Sequence, residues 1–301
     1  MKSESIQKIK RILGRNVIEF FYRSLGFLSD EKYLRLLFRL RMGRKLDLDN
    51  PKTFCEKLQW LKIHGREEIY TTMADKYLAK QFIAEKIGEK YVVPLLNVWD
   101  RFDDIDFDSL PDKFVLKCNH DSGSAIICRD KTKLDKENAR KILEKSLRTD
   151  YFILKREWPY KNIKRKIIAE AYLEDEPGAN LFDYKFFCLN GIPRIMYVIE
   201  GASDNPTEAF FDMDQNYLDL EMEDPRPEIP PKLPNSFDEM KRLAAKLSEG
   251  VPFLRVDFFC VKGRLYVGEL TFFHESGFGE IKPKEWDMKL GDMLDISQVR
   301  S

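Results

Sequence analysis

Arg255 and Asp257 stand two residues apart in an alternating stretch, and Glu269 follows beyond a Lys262-Gly263 turn. The run 254–269 reads as a β-hairpin: strand, tight turn, returning strand. Alternation puts Val256, Phe258 and Cys260 on one side and Arg255, Asp257 and Phe259 on the other. Pairing across the turn brings Glu269 towards Asp257 and Arg255. Two carboxylates and a guanidinium on one sheet face can hold a divalent metal against a polyphosphate, because Mg²⁺ takes one or two carboxylates plus substrate phosphates. Taken alone, the hairpin reads rather as a surface charge pair with arginine between two acids.

Further residues extend the chemistry. Phe114-Val-Leu-Lys117 is an apolar strand ending in lysine, followed by a loop containing Ser122, Gly123 and Ser124. Backbone N–H groups, two hydroxyls and the Lys117 charge form one way to cradle phosphates. The spacing is not that of a Walker A loop, and a plain hairpin loop is the alternative. The strand Ile167-Ile-Ala-Glu170-Ala171-Tyr172-Leu173 runs into Glu174, Asp175 and Glu176 before Pro177-Gly178. In Asp183-Tyr-Lys185-Phe-Phe a lysine interrupts an apolar strand, which is costly without a partner. An edge-strand lysine that resists aggregation is the other reading.

The elements that must position these groups follow from periodicity. From Ile6 to Leu40 the pattern is helical, with Ile9, Ile12, Leu13, Val17, Phe20 and Phe21 on one side and cations on the other. This segment fits a helix lying on anionic lipid or one packing on protein. Asn50-Pro51 begins a helix carrying Phe54, Leu58, Trp60 and Leu61, and another runs from Thr72 to Ile87, ending at Gly88. Strands are expected at 91–96, 114–118 and 124–128, then a helix from Lys136 to Leu147 capped by Asp135. Ile167–Leu173 and Tyr184–Leu189 are strands, and Asn190-Gly191 turns into Arg194–Ile199. A Pro- and acid-rich loop at 221–234 and a helix over 236–248 precede the hairpin. Helices followed by mixed elements indicate an α+β or mixed α/β protein.

A chain of 301 residues that is 43% hydrophobic and 13% aromatic is a folded globular protein with room for more than one lobe. Its net charge of zero implies no global polyelectrolyte partner, and no nucleic-acid partner is expected. Residues 1–45, however, carry 12 Lys+Arg against 4 Asp+Glu. The five scattered cysteines lack metal-ligand spacing and read as reduced thiols, and the three histidines make no obvious zinc site. Neither a transmembrane-length apolar run nor a signal peptide is legible, so a cytoplasmic protein is expected, with peripheral membrane contact open through residues 1–45.

In their order along the chain, these residues resemble the ATP-grasp superfamily, and specifically the TupA-like family associated with teichuronopeptide biosynthesis. The resemblance rests on Pro51-Lys-Thr-Phe-Cys-Glu-Lys-Leu-Gln-Trp, Ala74-Asp-Lys-Tyr, Phe114-Val-Leu-Lys-Cys-Asn-His, Asp183-Tyr-Lys-Phe-Phe-Cys, Arg255-Val-Asp-Phe and Gly268-Glu-Leu-Thr-Phe. It implies an α+β ATP-grasp fold with a nucleotide cleft between a small lid and a larger C-terminal mixed-sheet core. The expected divisions are a basic helical segment 1–50, an N-terminal subdomain 51–105, the lid 106–173 and the core 174–301. It also implies ATP and Mg²⁺. Lys117 and Lys185 would contact phosphates beneath the Ser122-Gly123-Ser124 loop. Glu170, Ala171, Tyr172 and Leu173 would form the adenine hinge, and Glu174 or Asp175 would reach the ribose. Arg255 would face the γ-phosphate and, with Lys117 and Lys185, promote catalysis, while Asp257 and Glu269 hold the metal. Many ATP-grasp enzymes place asparagine where Thr271 stands, so Thr271 is a departure in the metal set.

The implied activity is a carboxylate–amine ligase acting through an acylphosphate. Its partners would be a carboxylate-bearing sugar or glycan and an amine from an amino acid or peptide, in cell-surface polysaccharide synthesis. His274, Glu275, Ser276 and Gly277 are candidates for acceptor contacts. A glycan kinase, a nucleotide-sugar glycosyltransferase and a nucleotide-binding scaffold stay open as alternatives.

Overall fold

A computed structural model describes residues 22–175, 182–200 and 206–299. The apolar stripe from Ile9 to Phe21 and the Pro177-Gly178 turn lie outside these residues. The first long helix, α1 (Asp30–Met42), is capped by Ser29, whose side chain accepts from the Lys32 amide, and stops at left-handed Gly43. Helix α2 (Phe54–His64) begins three residues later than Pro51 implied, because Thr53 is its N-cap. Thr53 and Glu56 form a reciprocal capping box, each side chain accepting from the other's backbone amide.

The expected helix 72–87 is two helices, α3 (Glu68–Ala74) and α4 (Ala79–Ile87). Asp75 breaks it: this residue is extended, and its carboxylate accepts from the amides of Tyr77 and Leu78 and from the Asn119 side chain. A short polar side chain that satisfies nearby amides competes with helix continuation. Further on, α5 (Lys136–Arg148) is capped by Asp135 as expected, followed by α6 (Tyr151–Lys155), α7 (Phe237–Leu247) and α8 (Glu285–Met293).

The strands form two sheets. Strands β1 (Leu95–Trp99), β2 (Phe114–Cys118), β3 (Ile126–Cys128) and β4 (Ile167–Ala171) build an antiparallel sheet of order β1-β4-β2-β3. The first starts later than residue 91 because a 3-10 turn at Glu89–Tyr91 intervenes. The second sheet contains β5 (Asp183–Leu189), β6 (Ile192–Glu200), β7 (Thr207–Asp212), β8 (Phe253–Val261) and β9 (Arg264–Thr271), in the order β7-β6-β5-β8-β9. Strand β7 is not legible as alternation because its four central residues, Glu208 to Phe211, are all buried. Both expected tight turns are present, with φ of 52° and 77° at Asn190-Gly191 and 50° and 75° at Lys262-Gly263. Paired positive φ is what a two-residue hairpin turn needs to match strand twist.

Each sheet has its own core. Phe114, Leu116, Ile167 and Ala169 pack with Leu143 of α5 beneath the four-stranded sheet. Phe186, Val256, Phe258 and Leu254 pack with Met240 and Leu243 of α7 in a larger core that also takes in α1 and α2. The mixture of helices and antiparallel sheets is α+β. Among the described residues, no helix is long and apolar enough to cross a membrane.

Candidate functional site

Strand register writes a row of charge across three strands. Lys185 on β5 faces Asp257 on β8, and Asp257 faces Glu269 on β9. Arg255 and Thr271 are partners one step along the same face. The ladder needs one irregularity: Phe258 pairs with Val267, so Gly268 bulges out of β9. A Cβ on Gly268 would lie 2.6 Å from the Phe259 ring, so a side chain there would require the ring to turn or the strands to part beside the carboxylate pair.

Asp257 is the hub. Arg255 donates to it through Nε to Oδ1 and Nη2 to Oδ2, both at 2.7 Å, and Lys185 Nζ donates to Oδ2 at 2.7 Å. Burial opposes the charge on Asp257, and Arg255 and then Lys185 outweigh it, holding the carboxyl below its ordinary range. Lys185 also pairs with Asp183, answering the cost of a lysine in an apolar strand. Burial pushes the Asp183 carboxyl up to about 6 despite that lysine. The remaining Arg255 donors reach Thr271 Oγ1 at 3.1 Å, Tyr197 Oη at 3.4 Å and His274 Nδ1 at 3.1 Å.

Two lysines that periodicity did not single out complete the site. Lys76, between α3 and α4, donates to Glu269 Oε1 at 2.9 Å and to the Asp121 carbonyl at 2.6 Å. Burial opposes ionisation of Glu269, and Lys76 is the main group that keeps its pKa low. Lys80 on α4 stands 2.7 Å from Glu170 Oε1, and Lys117 stands 2.6 Å from Oε2 of the same carboxylate. Burial of Glu170 is thereby outweighed, Lys117 first and Lys80 second. Lys76 is the lysine of the Ala74-Asp-Lys-Tyr block and Lys80 follows four residues later, which was the available signal.

Lys76, Lys80, Glu170 and Glu269 border a cleft that touches both sheets, with Met73 and Gly268 also among its walls, while Lys117, Lys185, Arg255 and Asp257 do not wall it. The Ser122–Ser124 loop is tied down beside it. Ser124 Oγ donates to Asp121 Oδ1 at 2.7 Å and accepts from the Cys118 amide at 2.9 Å, while Ser122 and Gly123 are exposed. Gly123 has φ of 100°, a left-handed position that favours glycine. Strand β4 ends at Ala171, and the residues after it hold other partners. Tyr172 Oη accepts from Arg129, Glu174 pairs with Lys113 at 2.7 Å, and Asp175 accepts from the Lys262 amide at 2.6 Å.

The donor set matches a nucleotide polyphosphate with a hard cation. Lys76, Lys80, Lys117, Lys185 and Arg255 concentrate positive charge around the cleft, and Asp257 and Glu269 are register partners. Among the described residues, no group of three or more His, Cys, Asp or Glu side chains forms a metal cluster. That is compatible with Mg²⁺, which draws much of its coordination from phosphate and water.

Two antiparallel sheets thus flank a cleft walled by Lys76 and Lys80, and the larger sheet carries the carboxylate pair Asp257 and Glu269. The chain belongs to the TupA-like ATP-grasp family, whose family model matches residues 56–295. Proteins of this superfamily use ATP and Mg²⁺. Among similar solved structures, D-alanine–D-alanine ligase from Bacillus anthracis complexed with ATP is 16% identical at a TM-score of 0.40, covering 67% of this chain and 55% of that one. Another structure of that ligase is 18% identical at a TM-score of 0.45, covering 74% and 66%. The ATP-grasp ligase PsnB, complexed with a minimal precursor, is 14% identical at 0.40, covering 79% and 66%. The chain thus spans less than two thirds of the first of these ligases. No curated protein matches the sequence.

Proposed function

We propose that the protein is an ATP-dependent carboxylate–amine ligase. The observation that carries this reading is the row Lys185–Asp257–Glu269 with Arg255 on the same face. Two carboxylates suited to a cation stand beside two cations suited to phosphate, which supports the reading. Lys117 and Lys185 bind the phosphates, Arg255 faces the γ-phosphate, and Lys76 and Lys80 add charge from the helical side. Glu170 to Leu173, with Glu174 and Asp175, receive the nucleoside. Asp257 and Glu269 would hold Mg²⁺, with Thr271 beside them. When bound, the cation supplies Lewis-acid neutralisation of phosphate charge.

The γ-phosphate passes to a substrate carboxylate, giving an acylphosphate and ADP. An amine then attacks the acyl carbon, forming the amide and expelling phosphate. The side chains named here act by positioning and by charge neutralisation, as phosphoryl transfer requires. Lys185 and Arg255 are already fixed by Asp257, so little reorganisation accompanies nucleotide entry.

The family's association with teichuronopeptide synthesis supports a carboxylate on a cell-envelope sugar or glycan and an amine from an amino acid or peptide. Calorimetric titration with ATP, with and without Mg²⁺, and with UDP-sugars tests the nucleotide assignment. Mg²⁺-dependent ATP binding without sugar-nucleotide binding is expected, and preference for a UDP-sugar would replace the ligase with a glycosyltransferase. Phosphate release that requires both a carboxylate and an amine then separates the ligase from a glycan kinase.

A further inference from the structure

Gln59 and Lys62 of α2 are completely buried polar residues, and both point at one short segment. Gln59 Nε2 donates to the carbonyls of Ser276 at 2.9 Å and Gly277 at 2.7 Å, and Lys62 Nζ donates to the same Ser276 carbonyl at 2.7 Å. The segment is unusual: Glu275, Ser276 and Gly277 have φ of 45°, 55° and 65° in succession. Left-handed backbone is disfavoured for L-residues and persists where the surroundings over-determine it. The approach of α2 is close enough that a Cβ on Gly277 would lie 2.4 Å from Gln59 Nε2.

The residue before this run is His274, which is 5% exposed. Its Nδ1 lies 3.1 Å from Arg255 Nη1. Arginine has donors only, so Nδ1 accepts and the ring proton resides on Nε2. The imidazole packs on the rings of Phe187 and Tyr197, with centroids at 4.8 and 5.9 Å. Burial, then Arg255 and Lys185, holds it neutral well below the ordinary histidine range. Lys62 itself faces the rings of Phe278 and Phe273 at 4.5 and 5.6 Å, with Glu157, Lys155 and Arg41 as its charged surroundings.

We propose that Gln59 and Lys62 are positioning residues: they clamp the left-handed 275–277 turn and thereby hold neutral His274 as the acceptor that fixes Arg255. That Arg255 faces a γ-phosphate rests on the ligase reading; the clamp itself does not. The chain of contacts runs from helix α2 through two backbone carbonyls to an imidazole, and from there to the guanidinium held by Asp257. A guanidinium so fixed has a set direction on the sheet face that carries Asp257 and Thr271.

The test is a pH titration of imidazole nitrogens by NMR in the full chain, where only His64, His120 and His274 contribute. In the unaltered protein, His274 is expected to keep the Nε2–H tautomer and not to titrate from pH 5 to 8. In Gln59→Leu and in Lys62→Met, its titration midpoint should move up towards the ordinary value of about 6.5. A merely structural role for the two residues would lower the melting temperature without making His274 titrate. Gly277→Ala displaces Gln59 without deleting a polar group and serves where the first variants fold poorly. An imidazole that titrates in the unaltered protein, or that stays locked in every folded variant, overturns the clamp. Calorimetry with Mg²⁺ and a non-hydrolysable ATP analogue forms a separate arm. An unaltered protein that binds no nucleotide removes the ligase reading and leaves the histidine result to decide the clamp.

Discussion

Lys76 Nζ lies 2.9 Å from Glu269 Oε1. That contact joins the α3–α4 connection to the carboxylate hairpin, and the same ammonium reaches the Asp121 carbonyl in the loop after β2 at 2.6 Å. One cation therefore ties together three separate stretches of the chain. It also neutralises a carboxylate that the proposed metal would claim.

Removing it gives a directional result. Lys76→Met should destabilise the free protein by about 1–3 kcal/mol, since Glu269 loses its nearest charge partner. Thermal melts should then show greater stabilisation by Mg²⁺ in the variant than in the parent, because a cation replaces the lost ammonium. ATP affinity by calorimetry should fall at least about tenfold, as expected for one charge-assisted contact worth roughly 1.5–3 kcal/mol. Equal Mg²⁺ effects in the two proteins would remove Glu269 from the metal set.

The two carboxylates should differ when neutralised. Asp257 holds Arg255 and Lys185 together in a buried site. Asp257→Asn therefore removes the carboxylate that Arg255 and Lys185 share, leaving Lys185 only its pair with Asp183, and should cost about 3–5 kcal/mol in urea unfolding. Glu269→Gln disturbs only the Lys76 contact at hydrogen-bond distance, since Arg255 is 3.9 Å away, and should retain more stability. Both should abolish ATP turnover. Retained turnover in both would eliminate the assigned metal site.

The hairpin was legible in the sequence because alternation and a Lys262-Gly263 turn mark it, but that turn alone would set Asp257 opposite Gly268, and the bulge that brings Glu269 opposite Asp257 was not legible. Lys117 and Lys185 were legible as charges in apolar strands. The roles of Lys76 and Lys80 were not, because a lysine in a helical stretch of sequence is ordinarily a solvated residue and only tertiary packing brings these two against Glu269 and Glu170. The helix break at Asp75 was hidden for the same reason: Asn119, which helps hold it, is remote in sequence. Strand β7 escaped because burial on both faces erases the alternation that marks a half-buried strand.

The bulge at Gly268 makes a prediction about geometry without a change of charge. Gly268→Ala brings a Cβ to 2.6 Å from the Phe259 ring, so strands β8 and β9 must separate or the ring must turn. Overpacking of this kind costs about 1–3 kcal/mol. Affinity for Mg²⁺-nucleotide should drop together with stability, and Phe259→Leu in the same chain should restore both. A double variant that recovers stability but not affinity would show that the bulge sets the carboxylate spacing by some route other than this contact.

Glu208 on β7 provides a pH signature outside the proposed ligand set. It is 1% exposed, and burial pushes its carboxyl up to about 7 from an ordinary 4.5, with Asp224 and Glu275 adding to the rise against hydrogen bonds from the Glu223 and Asp224 amides. A carboxyl whose pKa is raised by folding binds its proton more tightly in the native state. Its stabilising contribution is complete below pH 4.5 and is lost as pH rises through about 7. The shift corresponds to at most roughly 3 kcal/mol, since one pKa unit is about 1.4 kcal/mol. The melting temperature should therefore fall by several degrees between pH 5.5 and pH 8. Glu208→Gln, which keeps two polar atoms and cannot ionise, should flatten that slope and melt higher than the parent at pH 8. An unchanged slope in the variant would assign the pH dependence to other groups and place the Glu208 carboxyl in its ordinary range.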